Sequence, residues 1–340
     1  MRLYLLLTGI IVGGLALFSQ TGQATTLDEI RARGYVICGV DEQHYGFAFL
    51  DEKGDWHGFE VDLCRSLAVA VLGDADKARF ISLNAQTRFS ALSEKQIDIL
   101  LRSTTWTYTR DISFGVDYPG VTYYDQLGIL AHKSLGEKEF SNVKEATICV
   151  ANGTTTLESI IEYIDKTGHK IDVKVFNSRE GLSNFFFSGQ CDLYAADKSA
   201  LQAVLAFTAP NPDDYLLLET TLSKEPLGPV VRDNDREWYD IVKWLIYGLI
   251  EAEERGINQK NVVERQKAKD HVVRFMLGGE SGFGKFLRLR DSWLFDVIRN
   301  KGNYGEIFER NLGAQSALKI ERGLNNLWTN GGLMYSMPIR

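Results

Sequence analysis

Residues 35–102 and residues 146–196 carry one pattern twice, and a chain that repeats β-α-β-α-β has few ways to fold. The first copy opens on the strand-like run Tyr35-Val36-Ile37-Cys38-Gly39-Val40. Residues 59–72 then place Val61, Cys64, Leu67, Ala68 and Val71 at helical spacing, and Gly73 ends the helix. Phe80-Ile81-Ser82-Leu83 is a second strand, Phe89 and Leu92 mark a short helix, and Ile97 to Leu101 is a third strand. The second copy has strands at Thr147–Val150, Val173–Phe176 and Cys191–Ala196. Its helices carry Leu157, Ile160, Ile161 and Ile164, then Leu182, Phe185 and Phe186. Gln96-Ile97-Asp98-Ile99 and Gln190-Cys191-Asp192-Leu193 hold the same place in the two copies.

Strands alternating with helices imply parallel sheets covered on both faces. Two copies imply two α/β lobes, each built on a parallel-core sheet. Ligands of such sheets bind at the carboxyl ends of the strands. Two facing lobes turn those ends into a cleft lined by residues 41–47, 102–110, 151–156 and 197–199.

The N-terminus reads as an export signal. Arg2 precedes the apolar run Leu3 to Phe18, and Gly22-Gln23-Ala24 ends it with small residues, so residues 1–24 are set apart from the fold. A formal charge of −7 disfavours nucleic acid as a partner. Cys38, Cys64, Cys149 and Cys191 contain no C-x-x-C pair, and an exported chain with four cysteines permits disulfides. Of three connectivities, Cys38–Cys64 and Cys149–Cys191 keep each bridge inside one lobe; four buried free thiols are the alternative. The five histidines are scattered, so no metal site is expected. Gly279 to Phe286 approaches a P-loop but has Phe286 where the Ser or Thr would stand, and no apolar strand precedes it.

Three stretches carry chemistry at the expected cleft. Asn152-Gly153-Thr154-Thr155-Thr156 opens a helix whose free amides suit an anion; Thr155 and Glu158 equally fit a capping box. Ser103 to Arg110 offers hydroxyls and a guanidinium able to grip a carboxylate at two points; a surface pair of Arg110 with Asp111 is the structural alternative. Asp197 can hold an ammonium, or can cap the helix that follows it. An anion site split across two lobes plus a cation acceptor matches the carboxylate and ammonium of an α-amino acid.

The chain resembles the polar amino-acid-binding proteins of ABC importers, and within them the general L-amino-acid-binding subclass of Gram-negative bacteria. The resemblance rests on Gly58-Phe59-Glu60-Val61-Asp62-Leu63-Cys64-Arg65, Arg102 to Thr107, Arg110-Asp111, Gly153-Thr154-Thr155, Gly302 to Arg310 and Gly331 to Tyr335, and runs from about Leu27 to Arg340. It implies the two-lobed type II periplasmic-binding-protein fold, with residues 25–125 plus about 230–340 as one lobe, C-terminal extension included, and 126–229 as the other. Hinge crossovers are expected near 121–133 and 222–232. It also implies that Arg110, Thr105 and Ser103 hold the α-carboxylate from one lobe, Thr154 and Thr155 from the other, and that Asp197 takes the ammonium. The loop Glu42 to Phe49 departs from the subclass, and its His44, Tyr45 and Phe47 suggest stacking on the ligand. Arg102 favours an acidic ligand and Asp41 a basic one, unless they pair with each other. The implied protein is a periplasmic monomer that needs no cofactor, captures free L-amino acids over a broad range or with polar or acidic side chains, and meets a membrane permease. A dehydratase of the same fold acting on a prephenate-like acid, or a ligand presenter to a sensor, is the alternative.

Overall fold

The computed structural model describes residues 24–340 apart from Glu42 and Thr221. The export signal read over residues 1–24 lies outside the described residues except for Ala24. The strands are β1 (Val36–Val40), β2 (Gln43–His44), β3 (Ala48–Leu50), β4 (Trp56–His57), β5 (Ala78–Ser82), β6 (Ile99–Thr105), β7 (Val116–Asp117), β8 (Tyr123–His132), β9 (Glu145–Ala151), β10 (Lys170–Phe176), β11 (Leu193–Asp197), β12 (Tyr215–Leu218) and β13 (Lys224–Arg232).

Both copies of the repeat fold as expected, each as a parallel core, and the strands that run between the lobes link the two cores into one hydrogen-bonded path. Its order is β10-β9-β11-β8-β13-β6-β1-β5. At one end β1 runs parallel to β5 and β6, and at the other β9 runs parallel to β10 and β11. Between them β8 and β13 pair antiparallel to each other and to their outer neighbours. These two strands occupy the segments expected as hinge crossovers, so the junction between lobes is itself a continuous hydrogen-bonded ladder.

The repeat extends to single side chains. Asp98 Oδ2 accepts the Ile37 amide at 2.7 Å, and Asp192 Oδ2 accepts the Thr147 amide at 2.7 Å. In each lobe the aspartate entering the third strand pins the start of the first, satisfying an amide that the ladder leaves free. Both expected disulfides form, Cys38–Cys64 between β1 and the helix above it, Cys149–Cys191 between β9 and the entrance to β11. Apolar clusters follow the same division: one gathers Val36, Cys38, Leu67 and Ile99, another Ile129, Ile148, Val150 and Leu193.

The Phe59–Leu72 helix starts at Gly58, where a Cβ would lie 2.2 Å from the Phe47 carbonyl oxygen, so only glycine fits. This helix is buried almost all round rather than along one stripe. The second face is covered by the C-terminal extension, whose Trp293, Ile298, Tyr304 and Phe308 join the first lobe's core. The extension also grips the hinge: Asn325 Oδ1 accepts the Tyr124 amide at 2.6 Å and Asn325 Nδ2 donates to the Tyr124 carbonyl at 3.1 Å. Gly279–Phe286 follows a helix, His271–Met276, and forms turns, in keeping with a Gly-rich loop. No helix among the described residues is long and apolar enough to cross a membrane.

Candidate ligand-binding site

A cavity of about 370 Å³ opens between the lobes at the carboxyl ends of the strands. On the first lobe, Thr107 caps the short helix Tyr108–Ser113, which carries Arg110. Arg110 is 6% exposed, donates from Nη1 to the Thr105 carbonyl at 2.9 Å, and has no carboxylate within ion-pair distance among the described residues. The pairing with Asp111 is thus replaced by a buried guanidinium facing the cavity. Arg102 to Thr105, expected just after the third strand, belong to β6. Ser103 nevertheless takes φ +42, a left-handed bend inside a strand. Its amide turns to Glu60 Oε1 at 2.5 Å and its hydroxyl meets His44 Nδ1 at 3.1 Å. Burial pushes the Glu60 carboxyl up to about 7.

On the second lobe the helix Thr155–Thr167 is capped by Thr154, whose Oγ1 accepts the Leu157 amide at 3.2 Å. The capping box expected from Thr155 is therefore one residue out of register. Released from that duty, Thr155 donates to Glu225 Oε2 at 2.9 Å and lies 3.3 Å from Thr105 Oγ1 across the cleft. Asp197 ends β11 without capping the following helix. Loss of water, together with the neighbouring carboxylates of Asp125 and Glu225, raises its pKa well above the usual carboxylate range. Asp125 itself is pushed up to about 6 by burial, although it accepts the Ser199 hydroxyl at 2.5 Å.

A profile of the bacterial extracellular solute-binding proteins, family 3, matches residues 36–261. The chain belongs to that family. It is 43% identical over 328 residues to the "General L-amino acid-binding periplasmic protein AapJ" of Rhizobium johnstonii, covering 96% of each chain. It is 41% identical over 327 residues to the "Glutamate/glutamine/aspartate/asparagine-binding protein BztA" of Rhodobacter capsulatus, again covering 96% of each. Among solved structures, a periplasmic binding protein of an ABC transporter from Brucella ovis with glutathione bound superposes with a TM-score of 0.91 at 42% identity, over 94% of this chain and 100% of that one.

Two of the expected ligand contacts of this solute-binding protein face elsewhere. Phe47 is 1% exposed and packs edge-on against Phe59 and Tyr123, and His44 stacks on Phe47 at 4.4 Å. Neither lines the cavity. The reason is local: β2 and β3 form a tight hairpin around Gly46 (φ +83), which turns these rings into the core. Burial, with the nearby Arg179 charge, lowers the His44 pKa to about 3, so the ring stays neutral. Tyr45 instead stacks at 4.8 Å on Phe207 of the opposite lobe. Asp41 and Arg102 do pair, at 2.9 Å, and both line the cavity.

Arg88 and Arg179 also line the cavity and are not among the residues expected from the sequence. Each follows the second strand of its copy, so the rule about strand ends points to both once it is applied to all three strands. Arg179 Nη2 reaches Asp41 Oδ2 across the cleft at 3.1 Å. Arg88 is 3% exposed and, among the described residues, has only long hydrogen bonds, 3.4 Å to Thr104 Oγ1 and 3.3 Å to the Gly153 carbonyl. Burial and the Arg110 charge press its pKa down.

Proposed function

We propose that this protein captures free L-amino acids outside the cytoplasmic membrane by closing its lobes, and delivers them to the permease of an ABC importer. The observation that carries this reading is the facing of Arg110, a buried guanidinium with no carboxylate partner, and Asp197, a carboxylate with no capping role, across one cavity. An α-amino acid supplies the complementary charges. Arg110, Ser103 and Thr105 hold its carboxylate from the first lobe, Thr154 and Thr155 from the second, and Asp197 takes the ammonium. The names of AapJ and BztA support amino acids as the ligand class.

We place one lobe at 25–125 plus about 230–340 and the other at 126–229, a division supported by the separate apolar clusters on either side of Tyr123 and Leu127. The protein works as a periplasmic monomer after removal of residues 1–24, without cofactor and without turnover. The decisive experiment is calorimetric titration of the mature protein, unfolded and refolded to strip carried-over ligand, against the common L-amino acids, prephenate and glutathione. Tight one-to-one binding of amino acids is expected. Consumption of prephenate, or no amino-acid binding, would overturn the reading.

A further inference from the structure

Among the described residues, the cavity wall carries four guanidiniums, on Arg88, Arg102, Arg110 and Arg179, against two carboxylates, on Asp41 and Asp197. Arg88 lies in the field of both Arg110 and Arg102, and Arg102 in that of Arg179. Asp197 feels the Arg179 and Arg88 charges. An amino-acid zwitterion satisfies Arg110 and Asp197 and adds no net charge. Arg102 and Arg179 then share one ion-pair partner, Asp41.

Asp41 does not saturate them. Its Oδ2 receives both Arg102 Nη2 at 2.9 Å and Arg179 Nη2 at 3.1 Å, while its Oδ1 is occupied by the Gln43 amide at 3.1 Å. Arg102 Nε is held by the Leu83 carbonyl at 2.7 Å, and Arg179 Nε is buried with no hydrogen-bond partner among the described residues. Three further acids stand outside the lining and are engaged there: Glu60 by Ser103, Asp125 by Ser199, Glu225 by Thr105 and Thr155. This corner of the cavity keeps an excess positive charge with donors to spare, and planar guanidiniums pair best with a carboxylate.

We propose that Arg102 and Arg179 form a second carboxylate subsite, so that the protein selects L-amino acids whose side chain bears its own negative charge. The proposal rests on the amino-acid reading above and narrows it to a ligand class. Arg102 comes from β6 and Arg179 from the segment after β10, so the subsite is assembled only when the lobes approach. A basic side chain meets Asp41 only in the company of two like charges.

The test is calorimetric titration of the stripped mature protein with L-glutamate, L-aspartate, L-glutamine, L-asparagine, L-alanine and L-lysine. Glutamate or aspartate is expected to bind at least about tenfold more tightly than its amide, with lysine weakest. Arg179→Gln, at a partly exposed position, is expected to narrow the acid-to-amide ratio towards one. An amide binding as tightly as its acid in the wild-type protein overturns the subsite and leaves amino-acid capture standing, a result that does not depend on any variant folding. A ratio that survives both Arg179→Gln and Arg102→Gln does the same. Loss of signal for every ligand, alanine and glutamine included, removes the capture reading and the subsite together.

Discussion

Arg110 and Asp197 face the cavity with opposite charges, and each has a protein environment that leaves it unfinished. The guanidinium is buried beside the Thr105 carbonyl and the Phe89 ring, with no carboxylate at hand. Replacing it by alanine would leave a bound carboxylate buried and unpaired, so Arg110→Ala is expected to weaken amino-acid binding by about 2–5 kcal/mol. Calorimetry giving near-wild-type affinity would exclude Arg110 from the site. Asp197→Asn removes the acceptor for an ammonium but not for a carboxylate. It should weaken amino acids more than the matching amine-free acids, and equal losses for both would end its assigned role. At this scale the sequence reading brought residues at or just after the first or third strand of a copy to the cavity wall, Arg102, Arg110, Thr154, Thr155 and Asp197 among them. Register finer than one residue was not legible: Thr154 and Thr155 are chemically identical, and only backbone geometry decides which caps and which faces the cleft. His44 and Phe47 lie in the core instead of the cleft because the tight hairpin at Gly46 sets which way their rings face, and no local sequence pattern encodes that.

Strand β6 shows how an element is bent to serve a site. Its left-handed Ser103 is tied by the backbone amide to Glu60, a carboxyl on the adjoining Phe59–Leu72 helix. Glu60 is pushed up to about 7, first by burial and then by the Asp41 charge, against the opposing pull of the Ser103 amide and Arg102. A carboxyl that keeps its proton longer when folded than when unfolded favours unfolding as pH rises between its two pKa values. Stability is therefore expected to fall from about pH 4.5 to about pH 7 by up to about 3 kcal/mol from this group, and to level off above. Glu60→Gln preserves an acceptor for Ser103 and should flatten that slope in urea titrations run across the range. An unchanged slope would mean that Glu60 is ionised throughout. The helix that carries Glu60 was legible in extent from Val61 to Gly73, but its outer face was not. A stripe of apolar residues tells which side meets the sheet, whereas the cover on the other side comes from Trp293 and Phe308, more than two hundred residues later.

As a whole, the molecule is two repeats joined by strands that belong to both. Periodicity revealed the repeats but not their union, because β8 and β13 show no alternation that marks antiparallel pairing across a lobe boundary. The joint matters for mechanism. In the described conformation the lobes touch through Arg179 and Asp41, Gln86 and Asn177 at 3.1 Å, Arg88 and the Gly153 carbonyl, Thr105 and Thr155, and the Tyr45–Phe207 stack. Each neutral contact is worth only about 0.5–1.5 kcal/mol. Against them stand the like charges of Arg102 on one lobe and Arg179 on the other. A ligand carrying carboxylates would neutralise that repulsion while adding bonds to both lobes, so ligand is expected to favour closure. Saturating ligand is expected to reduce the radius of gyration in solution scattering. It is also expected to raise the unfolding free energy by about 2.7 kcal/mol at a hundredfold excess over Kd. Tyr45→Ala should speed release, since the stack with Phe207 is made only between the lobes. Stopped-flow dissociation measures this directly. Binding without compaction, with release rates indifferent to Tyr45, would show instead that the antiparallel joint holds the lobes at a fixed angle and that ligand enters a cleft already formed.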